Sequence, residues 1–306
     1  MNTRWAERHG APPRLITAAA TPFLPDGSLN VPRFESLVEQ LITTGSEGLV
    51  IAGTTGESPT LSHQEKRLLF EKAVEVANGR AEIWAGVGSN ETQESAAFAR
   101  EVAQLGVDGL LVVAPYYNRP TQEGLYRHFS YIAQAAKLPI MLYNIPKRTG
   151  VNVSPETVER LAEAGVIGAV KEADGDFSAI TQLAIASRND AFTLYSGEDA
   201  LTLPMLSVGA YGVVSVASHL FGRTMRRMID AYLSGDVTTA VTLHQRLAPA
   251  FEALFLESSP APLKACYELL DQPLGPLRLP LVSVTHATRA RLSGVLSALH
   301  DDLSLA

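Results

Sequence analysis

The sequence predicts a (β/α)8 TIM barrel of the α/β class, followed by a C-terminal helical region. Eight short apolar runs recur along the chain, their starts about 20 to 35 residues apart, the length of a strand plus a crossover helix. The runs lack clean alternation, as strands covered on both faces do. The segments between them carry helix-start and helix-stop residues. Eight such units within 306 residues fit one closed barrel better than the structural rival, an open doubly wound sheet.

In chain order, residues 1–13, with Gly10, Pro12 and Pro13, read as a loosely held lead-in. The barrel is expected over 14–234 and the helical region over 235–306. Leu15 to Phe23 is the first strand. Its opening, Leu15-Ile16-Thr17-Ala18-Ala19-Ala20 behind basic residues, imitates a secretory leader but is too short and too rich in Ala and Thr. The next strands are Gly48 to Thr55, Glu82 to Ser89, Gly109 to Tyr116, Ile140 to Pro146, Gly168 to Ala173, Phe192 to Gly197 and Gly212 to Ser218. Ser62-His63-Gln64-Glu65 and Asn90-Glu91-Thr92-Gln93 read as capping boxes or close variants. Ser154-Pro155-Glu156 puts proline at the first helical position. Gly106 and Gly165 suit left-handed C-terminal caps. Beyond residue 220, Met225 to Leu233 closes the barrel, while Val237 to Phe255, Ala261 to Leu270 and Thr288 to Leu299 form helices. With no low-complexity linker before them, these should pack against the barrel.

Composition excludes several classes. The 25 basic and 32 acidic residues give −7, with no basic block to hold nucleic acid. No apolar stretch approaches the roughly 18 residues of a membrane span, so a soluble, cytoplasmic protein is expected. Cys266, the single cysteine, allows no internal disulfide framework or cysteine zinc cluster. Gly86-Val87-Gly88-Ser89-Asn90-Glu91 lacks the third glycine of a dinucleotide fingerprint, and neither a Walker loop nor HExxH occurs. The seventh strand ends Ser196-Gly197-Glu198-Asp199, whose carboxylates oppose a phosphate. No metal and no cofactor are called for.

Barrel chemistry sits at the C-terminal ends of strands and in the loops after them. Of the six lysines, five (66, 72, 137, 147 and 264) fall in helical or loop contexts and read as solvated. Lys171 alone lies inside a strand, sharing a face with Ala169 and Ala173. It has two readings: an ion-paired structural lysine, or an amine desolvated until it is neutral and nucleophilic toward a carbonyl. Glu172 should point the other way, toward the helix layer. On the adjacent strand Tyr143 comes within reach of Lys171, where a phenol can pass protons. Arg148, in the loop beyond, is a natural fork for a carboxylate. The turn Gly53-Thr54-Thr55-Gly56-Glu57-Ser58 can offer N–H and hydroxyl donors to a small carboxylate.

Together, Gly53-Thr54-Thr55-Gly56-Glu57-Ser58, Ala114-Pro115-Tyr116-Tyr117-Asn118-Arg119-Pro120, Tyr143-Asn144-Ile145-Pro146 and Val170-Lys171-Glu172 resemble the pyruvate-dependent class I aldolase family that includes N-acetylneuraminate lyase. The resemblance runs from about residue 14 nearly to the C-terminus. Arg148-Thr149-Gly150 and the double tyrosine Tyr116-Tyr117 are similar to the branch that condenses pyruvate with L-aspartate 4-semialdehyde. The reaction so implied gives 4-hydroxy-tetrahydrodipicolinate for lysine and diaminopimelate biosynthesis. A sugar-acid aldolase and a non-catalytic small-molecule-binding barrel are the alternatives.

The resemblance further implies that Lys171 forms the imine and that Tyr143, Thr54 and Tyr117 relay protons, Tyr117 coming from a neighbouring subunit. Thr55 would hold the pyruvate carboxylate and Arg148 that of the aldehyde, while Gly197 and Val214 line the pyruvate pocket. A homotetramer, or at least a dimer, is implied. A feedback site for lysine would use Ser58, His63, Asn90, Glu94 and Tyr116. Lys66 stands where sensitive members tend to have histidine. It reads either as a cation repelling the effector's ammonium group or as a solvated helix residue.

Overall fold

The strands form where β-branched and aliphatic residues cluster, and each is buried along almost its whole length. β1 (Leu15–Ala18), β2 (Gly48–Ile51), β3 (Glu82–Gly86), β4 (Gly109–Val113), β5 (Ile140–Asn144), β6 (Ala169–Glu172), β7 (Thr193–Ser196) and β8 (Gly212–Ser215) close in sequence order into a barrel. The computed structural model describes residues 11–188 and 192–305. Every expected strand is present, and every one stops short of its expected C-terminal end. The reason is burial beyond the ladder: Ala19, Ala20, Val87 and Ala114 stay inside after pairing ends, so apolarity outlasts the strand.

The helices are α1 (Val31–Thr43), α2 (His63–Ala77), α3 (Thr92–Val102), α4 (Gln122–Ala136), α5 (Pro146–Thr149), α6 (Pro155–Glu163), α7 (Phe177–Ser187), α8 (Thr202–Val208), α9 (Ser218–Leu233), α10 (Val237–Ala253), α11 (Ala261–Leu269) and α12 (His286–Ala298). Ser62 and Glu65 form the expected reciprocal box at α2. At α3 the cap is Glu91, whose carboxylate takes the amides of Gln93 and Glu94, and not Asn90. Its longer side chain folds back over the first turn, where an anion meets the positive end of the helix. Pro155 opens α6 as expected, and Gly106 and Gly165 have positive φ. None of the described helices is long and apolar enough to cross a membrane.

The chain divides into two compact units. One comprises Glu82–Val214 with the described residues up to Arg14. Its strands pair in the parallel ladder β3 through β8. The lead-in expected over 1–13 lies outside the described residues as far as residue 10. Its end is tied down, because Tyr211 and Tyr195 donate their hydroxyls to the carbonyls of Pro12 and Pro13, both at 2.9 Å.

The other unit holds Leu15–Ala81 and the chain from Ser215 onward. Here α9 packs on β1 and α1. Thr17 shares hydrogen bonds with Ser46 at 2.6 Å and Ser218 at 2.7 Å. The segment expected as an appended helical region contributes to this unit's core: Ala261 through Tyr267 of α11 are all buried. The Tyr267 hydroxyl accepts from Gln40 at 3.1 Å and donates to the His219 carbonyl at 3.2 Å.

Candidate active site

Lys171 is the third residue of β6, in register with Tyr143 on β5 and Tyr195 on β7. Register partners in a parallel ladder project to the same side, which brings the amine to the phenol. Its Nζ lies 4.1 Å from the centre of the Tyr143 ring, and the residue is only 5% exposed. Among the described residues no hydrogen bond or ion pair takes this amine, so the reading of Lys171 as an ion-paired structural lysine falls. Burial pushes it down from 10.5 to about 8; the Asp199 carboxylate opposes that shift and the Arg148 guanidinium adds to it. Tyr195 takes no such part, since its hydroxyl is committed to Pro13.

The neighbouring positions form a rigid backing. Glu172 makes no pair with Lys171; its carboxylate accepts from Asn144 Nδ2 at 2.9 Å and from the Asp174 amide at 2.7 Å. Burial raises it to about 7. Gly197 follows β7 and lies against the end of β6. A Cβ there would stand 2.7 Å from Ala173 Cβ and 3.0 Å from the Glu172 carbonyl, so only glycine fits. Val214 is buried on β8.

Arg148 is exposed on α5, a single helical turn opened by Pro146 and closed by Gly150 at φ +76. Four residues carry no helical periodicity, so the sequence shows only a loop there. Of the acidic pair, Glu198 is joined to Lys147 at 3.1 Å, while Asp199 is buried and acts on Lys171. Tyr117 sits at φ +76 with its amide on the Thr149 carbonyl at 3.2 Å, and it is 89% exposed. The Tyr117 side chain therefore packs against little of its own unit. Asn90 accepts from Asn118 at 2.9 Å, Glu94 from the Ser89 hydroxyl at 3.1 Å, and Tyr116 is partly exposed.

In the other unit, Thr54 and Thr55 lie on the turn after β2. The Thr21 hydroxyl is spent on the Gly56 carbonyl at 2.7 Å, but those of Thr54 and Thr55 have no partner among the described residues. Ser58 opens the following 3-10 turn, His63 is the first residue of α2, and Lys66 is on its first turn. One expectation fails here. Lys264 is not solvated: it is 2% exposed, with Nζ 2.7 Å from Glu57 Oε1. The signal was its setting, a lone charge within Ala261-Pro262-Leu263-Lys264-Ala265-Cys266-Tyr267. Cys266 beside it is buried, with its thiol pushed up to about 12. It has no nucleophilic role at neutral pH.

A barrel strand carrying a desolvated, unpaired lysine against a tyrosine fits a lyase of the imine-forming, class I aldolase type. The chain belongs to the dihydrodipicolinate synthetase family, whose model matches residues 11–299. The 4-hydroxy-tetrahydrodipicolinate synthase of Cyanothece sp. is 51% identical over 288 residues, covering 94% of this chain and 98% of that protein. The crystal structure of the enzyme from Cyanidioschyzon merolae with lysine bound superposes with a TM-score of 0.92. It is 44% identical and covers 94% of this chain and 98% of that one. The chloride-inhibited dihydrodipicolinate synthase from Acinetobacter baumannii, complexed with pyruvate, has a TM-score of 0.90 at 38% identity. The match covers 95% of this chain and 99% of that one.

Proposed function

We propose that the chain condenses pyruvate with L-aspartate 4-semialdehyde to 4-hydroxy-tetrahydrodipicolinate, in lysine and diaminopimelate biosynthesis. The observation that carries this reading is Lys171, buried, unpaired and held beside Tyr143 at a pKa of about 8. Its neutral amine attacks the pyruvate carbonyl carbon, and loss of water leaves the imine. Removal of a methyl proton gives the enamine, which attacks the semialdehyde aldehyde carbon. The substrate's own amine then displaces Lys171 by transimination, releasing the cyclic product and the free enzyme.

Tyr143, Thr54 and Tyr117 serve as the proton relay, with Tyr117 reaching the site of a neighbouring subunit; its exposure supports that role. Thr55 holds the pyruvate carboxylate, and Gly197 and Val214 line the pocket. Arg148 receives the aldehyde's carboxylate, which favours aspartate semialdehyde over a sugar-acid aldehyde. The relatives' names support the same substrate pair. The working form is a cytoplasmic homotetramer. The positions that match a lysine feedback site in the family are Ser58, His63, Asn90, Glu94 and Tyr116, while Lys66 departs from that pattern, either as a cation that repels the effector or as a solvated helix residue.

Incubation with pyruvate and borohydride tests the first half, with a mass gain expected on Lys171. No adduct would sink the imine reading. Arg148→Ala tests the second: turnover of aspartate semialdehyde should collapse while trapping of pyruvate persists. Unchanged turnover removes the basis for choosing this aldehyde over a sugar acid.

A further inference from the structure

The turn after β2 is held in a conformation that its sequence does not favour. Ala52 and Glu57, on either side of Thr54-Thr55, both lie in the left-handed region, at φ +54 and +56. Neither is glycine, and such backbone persists only where its surroundings impose it. Local bonds close the loop: the Gly56 amide donates to the Gly53 carbonyl and the Glu57 amide to that of Thr54, both at 3.1 Å.

The imposing contacts come from the C-terminal helical region. Glu57 is 1% exposed and meets Lys264 Nζ at 2.7 Å, an ion pair with both side chains withdrawn from water. Lys264 also donates to the Pro276 carbonyl at 2.8 Å. The second Glu57 oxygen accepts from the Arg278 amide at 3.0 Å, and the Arg278 guanidinium donates to the Thr60 carbonyl at 2.7 Å. Phe23 lies beneath both cations, 4.4 Å from Lys264 and 4.3 Å from Arg278. A buried ion pair is a poor way to gain stability, because desolvation offsets much of its attraction. What it supplies is direction.

We propose that the buried Glu57–Lys264 pair is a positioning device for pyruvate recognition: it locks the turn so that Thr54 and Thr55 present their hydroxyls in one fixed geometry. This rests on the reading that Thr55 holds the pyruvate carboxylate. Neither Glu57 nor Lys264 touches substrate.

The test uses the full chain carrying Glu57→Gln with Lys264→Met, a neutral pair that avoids stranding one buried charge, alongside Lys264→Arg and Thr55→Val. Expected is a folded double variant whose pyruvate KM rises at least about tenfold while the aldehyde KM stays within about threefold. Lys264→Arg, which keeps the charge pair, should recover most of the pyruvate affinity. A purely structural pair predicts a lowered melting temperature without that selective KM change. If the double variant fails to fold, Glu57→Asp, which keeps the charge but shortens the reach, carries the same expectation. An unchanged pyruvate KM in the folded variant, with Thr55→Val impaired, overturns the inference alone. An unchanged KM in Thr55→Val overturns the carboxylate reading, and the inference with it.

Discussion

The titration of Lys171 is the sharpest consequence of the site. With its pKa at about 8, roughly a tenth of the enzyme carries the neutral amine at pH 7. At its ordinary 10.5 the fraction is about 0.03%, so burial raises the nucleophile's concentration roughly 300-fold. That ratio corresponds to about 3 kcal/mol in the availability of the reactive form. The assay is the initial rate of imine formation at fixed, subsaturating pyruvate from pH 6 to 10, quenched with borohydride and read as adduct mass on Lys171. The rate should climb about tenfold per pH unit below 7 and level off above about 8. Two substitutions fix the cause. Asp199→Asn removes a charge that favours the ammonium form and should move the midpoint down, whereas Arg148→Gln should move it up. A rate still rising tenfold per unit through pH 9.5, or midpoints indifferent to both substitutions, refutes the desolvated-amine account.

Three further outcomes follow from neighbouring groups. Glu172 is raised from 4.5 to about 7, so the folded state binds its proton more tightly than the unfolded chain. Its contribution favours folding below pH 4.5, and about 3 kcal/mol is lost as pH rises to 7. The difference in urea-unfolding free energy between wild type and Glu172→Gln should change with that sign over that window. Cys266 should resist iodoacetamide at pH 8 in the native protein and take one adduct once urea unfolds it; rapid native alkylation contradicts its burial. Gly197→Ala should lower stability by about 1–3 kcal/mol, read from chemical unfolding, because the new methyl meets Ala173 and the Glu172 carbonyl.

How much of this was legible depends on distance along the chain. The strands were readable because doubly buried strands leave dense runs of Val, Ile, Leu and Ala. Lys171 was readable because it interrupts one of them. Tyr143 followed from strand adjacency, and the register confirms the pair. Strand ends were not readable, because the barrel buries residues beyond its ladder. The cap at Glu91 was misplaced by one residue because the pattern scores side-chain type and not reach. Lys264 was misread for a deeper reason. Its carboxylate, Glu57, lies in a turn near the other end of the chain, and a helical lysine far from its partner in sequence looks like any solvated one.

The two buried lysines show what separates chemistry from architecture here. Burial lowers both. At Lys264 the Glu57 carboxylate stands in contact and opposes that shift, and the amine is tied to a carbonyl and an ion pair. At Lys171 the contact is an aromatic ring, and the Asp199 charge acts on it without an ion pair. A tyrosine face tolerates the ammonium form and leaves the neutral amine free to react. The net charge of −7 opposes substrates that carry carboxylates. Capture must therefore come from short-range donors, and a donor on a flexible turn would spend its binding energy on ordering itself. A turn that buried charges hold in a left-handed backbone avoids that cost. Lys264 is held in place by its carboxylate, whereas Lys171 is left without one.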